Sequence, residues 1–426
     1  MASPETAAPR ASPRAFGRAF AAFQHRTFLI FWLGQLGSLI GSWMQITALS
    51  WLVYRLTHSA WVLGTVALAG NLPVLLLGYL AGSLVDRGDR LRLILWAQAA
   101  EMVLAFVTAG LTYCGAIQVW HIMVLSVLAG VLHAVEVPAR QTFFMDLVGR
   151  EHLMSAIALN SVAFNLARVI GPTIAGLLLF WITEAGCFLL NGLSFLAVIG
   201  SLLAIASRVR TTRSEPAARG GPWDGLRHIF RHPEMRSLLI MVATANLLCT
   251  PFFTHLLPVY VGKVLGEGAD TLGLFTASFG LGALLGGLAT ASRDPGTLSA
   301  ILAVQGFAAM SLTVSCLAFF PGYYSGMVLL VFTGVAMLTQ MATTNNYLQT
   351  RAPDDLRGRI VAAYTTTFIG LMPFGSLFMG WIADRIGVRS AIMLGSLICF
   401  ASAVAHYWRL IRPPRPGTSP GPSRAP

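Results

Sequence analysis

Apolar runs long enough to cross a lipid bilayer recur along this 426-residue chain almost from end to end. A transmembrane helix needs about 20 predominantly apolar residues. Hydrocarbon offers the backbone no hydrogen-bond partners, so runs of this length form helices, whereas strands of a membrane barrel would alternate over about ten residues. The sequence therefore predicts an all-α membrane protein with 12 transmembrane helices, at roughly 28–54, 60–84, 91–113, 118–139, 156–181, 185–207, 237–262, 271–292, 297–320, 323–349, 360–383 and 389–411.

Composition excludes the soluble alternatives. The chain is 55% hydrophobic and only 11% charged, with a mean hydropathy of +0.69. Its net charge of +12 comes from basic residues in the short segments between apolar runs, which excludes nucleic acid as the partner. The five cysteines are scattered singly, without a Cys-x-x-Cys or a Cys/His cluster, so no disulfide framework, metal site or other cofactor is expected.

The distribution of basic residues predicts the orientation in the membrane. If the N-terminus is cytoplasmic, the inside segments hold 24 of the 29 Lys and Arg residues. The outside loops then hold four, namely Arg55, Lys263, Arg385 and Arg389. Cytoplasmic loops carry such an excess, so both termini are expected inside. Asp384 is the expected partner of the last two arginines.

The longest polar segment divides the spans into two sets of six. Parallel repeats of this kind are a known transporter design. A short surface helix is expected in that segment, around Trp223–Phe230. The predicted organisation is a cytoplasmic tail at 1–27, a six-helix bundle at 28–207, a central cytoplasmic loop at 208–236, a second six-helix bundle at 237–411 and a disordered tail at 412–426.

A glycine-rich helix end followed by a cluster of charges lies after the second span. The residues concerned are Gly78, Gly82, Asp86, Arg87, Arg90 and Arg92. Two glycines one turn apart leave a helix face without side chains, on which another helix can approach closely. The charges cannot lie in hydrocarbon, so they indicate a tight loop at the membrane surface.

This segment resembles the signature loop between the second and third helices of the major facilitator superfamily of transporters. Gly82, Asp86, Arg87 and Arg90 match the pattern of that loop, whereas Asp89 stands at its second glycine. The resemblance implies a gating loop that latches the cytoplasmic side during transport.

The fifth span contains a second motif, made of Arg168, Gly171, Pro172 and Gly176. Gly-Pro breaks the backbone hydrogen-bond ladder and kinks a helix, and the later glycine permits close packing. The motif resembles the fifth-helix motif of the antiporter branches of the superfamily, although Ala167 replaces its first glycine. A generic proline kink is the alternative interpretation.

The stretch from Pro138 through Asp146 to Asn160 extends the resemblance to the bacterial exporters of the transmembrane secretion effector family, which include enterobactin and macrolide exporters. The resemblance covers nearly the whole chain. It implies the major facilitator fold, a monomer in the bacterial inner membrane, and export by alternating access. It does not specify the substrate.

Ionisable side chains inside spans cost about 2.5–3.5 kcal/mol each on insertion scales and therefore need a reason. The candidates for proton coupling are Glu136 and His133, in the fourth span, and Glu101, in the third. For Glu136, pairing that merely holds helices together is an equally good reading, and Arg168 is its expected partner. Structural roles are favoured for His133 and for Glu101 in the third span, where local pairing is expected.

Polar side chains also follow faces of the first, seventh and tenth spans. The resemblance implies that these helices, with the fourth, line a central cavity. Hydrogen bonding between helices is the alternative explanation. The cavity residues predicted in this way are Gln35, Ser38, Gln45, Asn246, His255, Gln340, Thr344 and Asn345.

No catalytic or nucleotide-binding motif is found, so the chain is not expected to be an enzyme or an ATP-driven pump. The prediction is a secondary transporter that exports a small amphiphilic molecule, such as a drug or siderophore, in exchange for protons. An importer or uniporter of the same fold is the alternative. A polytopic membrane enzyme, the alternative from another class, should show larger loops and a His/Asp/Glu cluster at one surface.

Overall fold

The computed structural model describes residues 20–209, 224–293, 297–353 and 356–411. Within those ranges, the side chains of residues 79–80, 82–84, 86–87 and 180 are not described. Most of the predicted N-terminal tail, the predicted C-terminal tail and part of the central loop lie outside the described residues.

The first half of the chain begins with a short helical turn, Ala21–Gln24, followed by three membrane-length helices. These are α1, Arg26–Thr57, α2, Ala60–Arg87, and α3, Arg90–Tyr113. Helical hydrogen bonding then runs from Val119 to Ile205, but Gly149 and Thr183 have non-helical dihedral angles. We name the three parts α4 (119–148), α5 (150–182) and α6 (184–205).

The second half begins with the short helix α7, Asp224–Arg231, where the sequence predicts a surface helix. Helix α8 spans Pro233–Leu248. The chain then continues to Leu265 through two π-helical segments, Phe252–Leu256 and Tyr260–Leu265. The remaining helices are α9, Ala269–Ala291, α10, Ala300–Phe319, α11, Tyr323–Arg351, α12, Arg357–Ile386, and α13, Val388–Ile411.

Within the described residues, 11 helical stretches are long and apolar enough to cross a membrane. One of them, Val119–Leu179, has 61 residues and contains the interruption at Gly149. Counting that stretch once or twice gives 11 or 12 membrane helices. The all-helical class predicted from the sequence is confirmed.

Local signals in the sequence explain where helices begin. The Asp89 side chain accepts a hydrogen bond from the Arg92 backbone N–H at 3.3 Å, so it caps the start of α3. Ser299 caps α10 in the same way, and Pro233 occupies the first turn of α8, where its missing N–H costs nothing. Asp89, which stands where the pattern of the superfamily loop has a glycine, therefore has a structural role as a helix cap.

Arg389, the second residue of α13, binds the C-terminal end of α10. Its guanidinium donates to the carbonyl oxygens of Ala318 and Phe319, at 2.7 and 3.1 Å, at the end of α10. Cations are favourable beside the unsatisfied carbonyls of a helix C-terminus. Arg385 lies 5.1 Å from the ring of Trp381. The predicted pairing of either arginine with Asp384 is not among their described contacts.

The chain divides into two compact units. The first consists of Met1–Ala218 with Glu267–Ala277, and the second of Arg219–Gly266 with Ser278–Pro426. In the first unit α1 packs against the 119–205 stretch, and buried aromatic rings of Phe28, Phe31, Phe143 and Phe144 meet edge to face. In the second unit α10 packs on α11 and α13, and α8 packs on α12.

Candidate functional site

The charged segment after α2 is anchored within the first unit by a buried ion pair. Arg90, the first residue of α3, donates through one nitrogen to both carboxylate oxygens of Asp146 on α4, at 3.0 and 2.8 Å. The two side chains are 4% and 0% exposed. A pair this buried depends on both partners, because each side chain offsets part of the cost of burying the other charge. Sequence reasoning quoted Asp146 only within a family stretch and missed this role.

The other residues of the predicted gating loop differ in their surroundings. Arg92 is exposed and pairs with Asp89 at 3.3 Å. Gly82, Asp86 and Arg87 belong to α2, but their side-chain surroundings lie outside the described part of the chain.

The close helix approach predicted on the face of Gly78 and Gly82 is not seen at Gly78, and the surroundings of Gly82 lie outside the described part of the chain. No described atom lies within 4 Å of the place where a Cβ on Gly78 would be. Helix α2 instead approaches α4 two turns earlier. A Cβ on Gly130 would collide with the carbonyl of Gly70 and lie 3.1 Å from a ring carbon of Pro73. Sequence spacing identifies a glycine face, but the rotation of the helix decides which glycine is used.

Glu136 is 2% exposed on α4 and has two described partners. Its Oε1 accepts a hydrogen bond from Gln98 Nε2 of α3 at 3.2 Å. The same oxygen lies 3.4 Å from the guanidinium of Arg140, one turn further along α4. Arg140 is on the same helix as Glu136, so this pair does not hold two helices together, whereas the contact with Gln98 joins α3 to α4. The expected pair with Arg168 is not among the described contacts.

Glu101 and His133 form a second polar pair between α3 and α4. His133 Nδ1 lies 2.8 Å from the carbonyl oxygen of Ala129 and 3.4 Å from Glu101 Oε1. Because the Nδ1 proton is directed to the carbonyl, Glu101 Oε1 has no hydrogen-bond donor among the described residues. Glu101 is 8% exposed, whereas the His133 side chain is half exposed. The local pairing expected for Glu101 is present, but it leaves a buried acceptor unsatisfied.

The fifth-span motif organises the contact between α5 and α1. A Cβ on Gly171 would lie 2.6 Å from Trp43 Cβ and 2.7 Å from the carbonyl oxygen of Ile40, so only glycine allows this approach. The Arg168 guanidinium lies 5.6 Å from the ring of Trp43, a cation–π distance. Gly176 lies against the backbone of Gly273 on α9. Helical structure continues through Pro172.

In the first unit the predicted cavity residues are largely buried. Gln35 and Ser38 are 3% and 2% exposed, and Gln35 Oε1 has no donor among the described residues. Gln45 Oε1 accepts a hydrogen bond from Asn191 Nδ2 of α6 at 2.7 Å. Gln45 therefore makes the interhelical hydrogen bond that was the alternative reading.

In the second unit the predicted cavity residues leave several buried polar atoms unsatisfied. Asn246 donates to the carbonyl of Val242 at 2.8 Å, but its Oδ1 has no described donor. Gln340 Nε2 and Thr344 Oγ1 also lack described partners, and these residues are 5% and 0% exposed. Asn345 Oδ1 accepts from Gln349 at 2.7 Å. An unsatisfied buried polar group costs about 1–3 kcal/mol, so a concentration of them needs a functional reason.

His255 is half-buried, as is Asn345. His255 lies in the π-helical segment Phe252–Leu256, and such segments are frequent at functional sites. Its Nδ1 is 2.9 Å from Ser376 Oγ of α12. Sequence reasoning missed Ser376, although it lies one turn after Pro373 in the eleventh span.

Within the described residues, no group of three or more His, Cys, Asp or Glu side chains is placed to hold a metal ion. In the first unit the candidate residues are intramembrane charges and the buried amides of Gln35 and Gln98, and in the second unit they are buried polar groups.

These features can be compared with those of a known protein family. The model of the transmembrane secretion effector family matches residues 17–415, which is nearly the whole chain. The chain belongs to this family of major facilitator transporters.

Relatives of this transmembrane secretion effector protein include transporters of siderophores and drugs. The staphyloferrin A transporter of Staphylococcus aureus is 28% identical over 369 residues, covering 84% of this chain and 91% of the relative. The multidrug efflux pump Tap of Mycolicibacterium fortuitum is 28% identical over 378 residues, covering 84% and 89%.

Solved structures support the fold. A bacterial homologue of the human lysosomal transporter Spinster, in an inward-facing and unoccupied conformation, matches with a TM-score of 0.69 at 14% identity. The match covers 94% of this chain and 97% of that chain. The family and the fold are those of transporters, not enzymes, and the chain is a multi-pass membrane protein with bacterial transporter relatives.

Proposed function

We propose that this protein is a secondary transporter of the bacterial inner membrane that exports a small amphiphilic molecule in exchange for protons. The names of its relatives support efflux of drug-like or siderophore-like molecules as the class of activity. The superfamily mechanism it would use is alternating access, in which two bundles rock about a central binding site. We propose that it acts as a monomer.

We also propose 12 crossings with both termini in the cytoplasm. A single helix of 61 residues would be about 90 Å long, roughly three times the hydrocarbon thickness. The left-handed backbone at Gly149 is a natural point for the chain to turn between α4 and α5. The excess of arginine in alternate connections supports the orientation.

The observation that carries the coupling proposal is the unsatisfied carboxylate oxygen of Glu101. Glu136 is held by two donors, so a proton can join its Oε1 only after Gln98 or Arg140 moves away. Glu101 Oε1 has no described donor and can accept a proton without displacing a partner. His133 would take up a proton at Nε2 of its half-exposed ring, and its Nδ1 proton would then leave the Ala129 carbonyl for Glu101 Oε1, 3.4 Å away. Release would then follow when rocking of the bundles changes these contacts.

The energetics are adequate for export. One proton moving down about 100 mV and one pH unit releases about 3.7 kcal/mol, which supports a solute gradient of roughly a few hundredfold.

The test uses purified protein in liposomes with a trapped pH-sensitive dye. A panel of macrolides, siderophores and cationic dyes is added, and substrate movement and proton counterflow are recorded together. Glu101→Gln should abolish proton-coupled transport while leaving substrate exchange at equal concentrations on both sides. Glu151→Gln is the matched control, because Glu151 is exposed.

Normal proton counterflow in Glu101→Gln would refute the coupling role. Net uptake in the direction of a pH gradient, without counterflow, would favour an importer or uniporter of the same fold.

A further inference from the structure

The segment that follows α8 carries an irregular backbone that places His255 beside α12. Pro251 and Pro258 lack the N–H group needed for regular helical hydrogen bonds. The segments Phe252–Leu256 and Tyr260–Leu265 are π-helical. His255 lies within the first of these segments.

A glycine allows α12 to approach the end of α8, just before this segment. A Cβ on Gly375 would collide with the carbonyl oxygen of Asn246 and lie 2.7 Å from Leu247 Cα, so the two backbones are in direct contact. Ser376, the next residue of α12, is fully buried and meets His255. The hydrogen bond between Ser376 and His255 is therefore built into the packing of the two helices.

The hydroxyl of Ser376 determines which nitrogen of His255 carries the proton. Its Oγ lies 3.0 Å from the carbonyl oxygen of Met372 and 2.9 Å from His255 Nδ1. A serine hydroxyl has a single proton, and a carbonyl oxygen can only accept. Both contacts are satisfied when Ser376 donates to Met372 and His255 Nδ1–H donates to Ser376. In neutral imidazole, Nε2 is then left as a hydrogen-bond acceptor.

The surroundings of His255 suit the neutral ring. Its neighbours along the chain, Phe252, Phe253 and Leu256, are buried apolar residues, and no carboxylate contacts His255 among the described residues. Burying a charge without a partner is costly, whereas a neutral ring with one satisfied nitrogen is not. Asn246 Oδ1, on α8, is a second acceptor without a described donor.

We propose that His255 is a specificity-determining residue that accepts, at Nε2, a hydrogen bond from an N–H or O–H group of the transported molecule. Ser376 is the positioning residue that holds the ring in the accepting tautomer. The inference rests on the proposed export function and narrows its substrate class to amphiphiles that carry a hydrogen-bond donor. Molecules that offer only acceptors at this position would be discriminated against, because two acceptors cannot pair.

The first measurement is the tautomer itself, by ¹⁵N NMR of histidine-labelled full-length protein in lipid nanodiscs. His255→Gln identifies the resonances. The wild type should show a protonated Nδ1 and an unprotonated Nε2. Ser376→Ala should shift the balance towards the other tautomer, and Ser376→Thr should restore it. A wild-type ring with the proton on Nε2 would overturn the assignment.

The second measurement is equilibrium binding of erythromycin, a hydroxyl-rich amphiphile, to the same nanodiscs. Binding should shift the His255 Nε2 resonance, and His255→Phe and Ser376→Ala should each weaken affinity about tenfold, while Ser376→Thr stays near wild type. Ser237→Ala is the matched control. Ser237 makes the same type of contact, 2.9 Å, to His406 Nδ1, but that histidine is only 4% exposed.

Unchanged affinity in His255→Phe, or no binding of erythromycin to the wild type, would overturn the inference. Binding at equilibrium needs no proton gradient. Its outcome is therefore independent of the Glu101→Gln test, which can fail while the role of His255 holds.

Discussion

At the scale of single residues, the charges of the first unit are arranged in pairs that differ in completeness. Arg90 and Asp146 satisfy each other in a doubly hydrogen-bonded contact, whereas Glu101 keeps an oxygen without a described donor. A complete pair favours one arrangement of helices. An incomplete one leaves a group that can change its protonation or partner, which suits coupling rather than anchoring.

We expect Arg90→Leu and Asp146→Leu each to lower thermal stability strongly, by about 3–5 kcal/mol, because each removes one side of a buried ion pair. The double variant should lose less than either single variant. Apparent melting temperatures in detergent provide the measurement. Additive losses would show that the two residues act independently.

We expect Asp86→Asn to lower transport sharply while leaving normal amounts of protein in the membrane. The reason is the match of this acid to the gating loop of the superfamily, where a carboxylate beside arginines holds the cytoplasmic side. Transport and membrane abundance are measured in the same cells. Glu151→Gln is the comparison, because Glu151 is an exposed acid outside this segment. A wild-type transport rate in Asp86→Asn would refute the gating role.

At the scale of helices, glycines determine which faces meet. Gly171 brings α5 against α1 and thereby places Arg168 beside Trp43, and Gly375 brings α12 against α8 and thereby places Ser376 beside His255. In both cases the missing side chain and the functional side chain are close neighbours along one helix. Packing by small residues is the usual way in which membrane helices approach closely.

The two interruptions of the 119–205 stretch allow a matched test of backbone strain. Gly149 (φ 71°, ψ 177°) and Thr183 (φ 57°, ψ −179°) have nearly the same left-handed conformation, which costs a non-glycine residue about 1–3 kcal/mol. Both residues are exposed, and no described atom is near a Cβ at Gly149. We expect Gly149→Ala to lower the melting temperature and Thr183→Gly to raise it. Shifts of the same sign would contradict this explanation.

At the scale of the whole molecule, the family and the fold are those of major facilitator transporters, and each unit carries one part of the candidate machinery. The intramembrane acids lie in the first unit, and the buried unsatisfied amides and hydroxyls of α8 and α11 lie in the second.

The proposed topology predicts that residue 220 is cytoplasmic. In a variant without the five native cysteines, Gly220→Cys should react with a membrane-impermeant maleimide only after the cells are opened. Ala116→Cys, in the exposed connection between α3 and α4, should react in intact cells. Labelling of Gly220→Cys from outside would reverse the orientation.

Local sequence determined the helices, their approximate limits and the family. Length and apolarity suffice for a membrane helix, because hydrocarbon leaves the backbone no alternative. Charged residues between the apolar runs identified the polar segments, and the short helix at Asp224–Arg231 lies where it was expected. The glycine motif of the fifth span was also visible, because a missing side chain permits close packing whatever the partner.

Only the tertiary structure decided which side chains meet. Three contacts join segments that are far apart in the sequence. They are Arg90 with Asp146, Arg168 with Trp43, and His255 with Ser376. The spacing of residues fixes their positions around one helix but not the rotation, depth and neighbours of that helix. Those are decided by how all the helices pack together, so the partners of the polar residues became visible only in the folded chain.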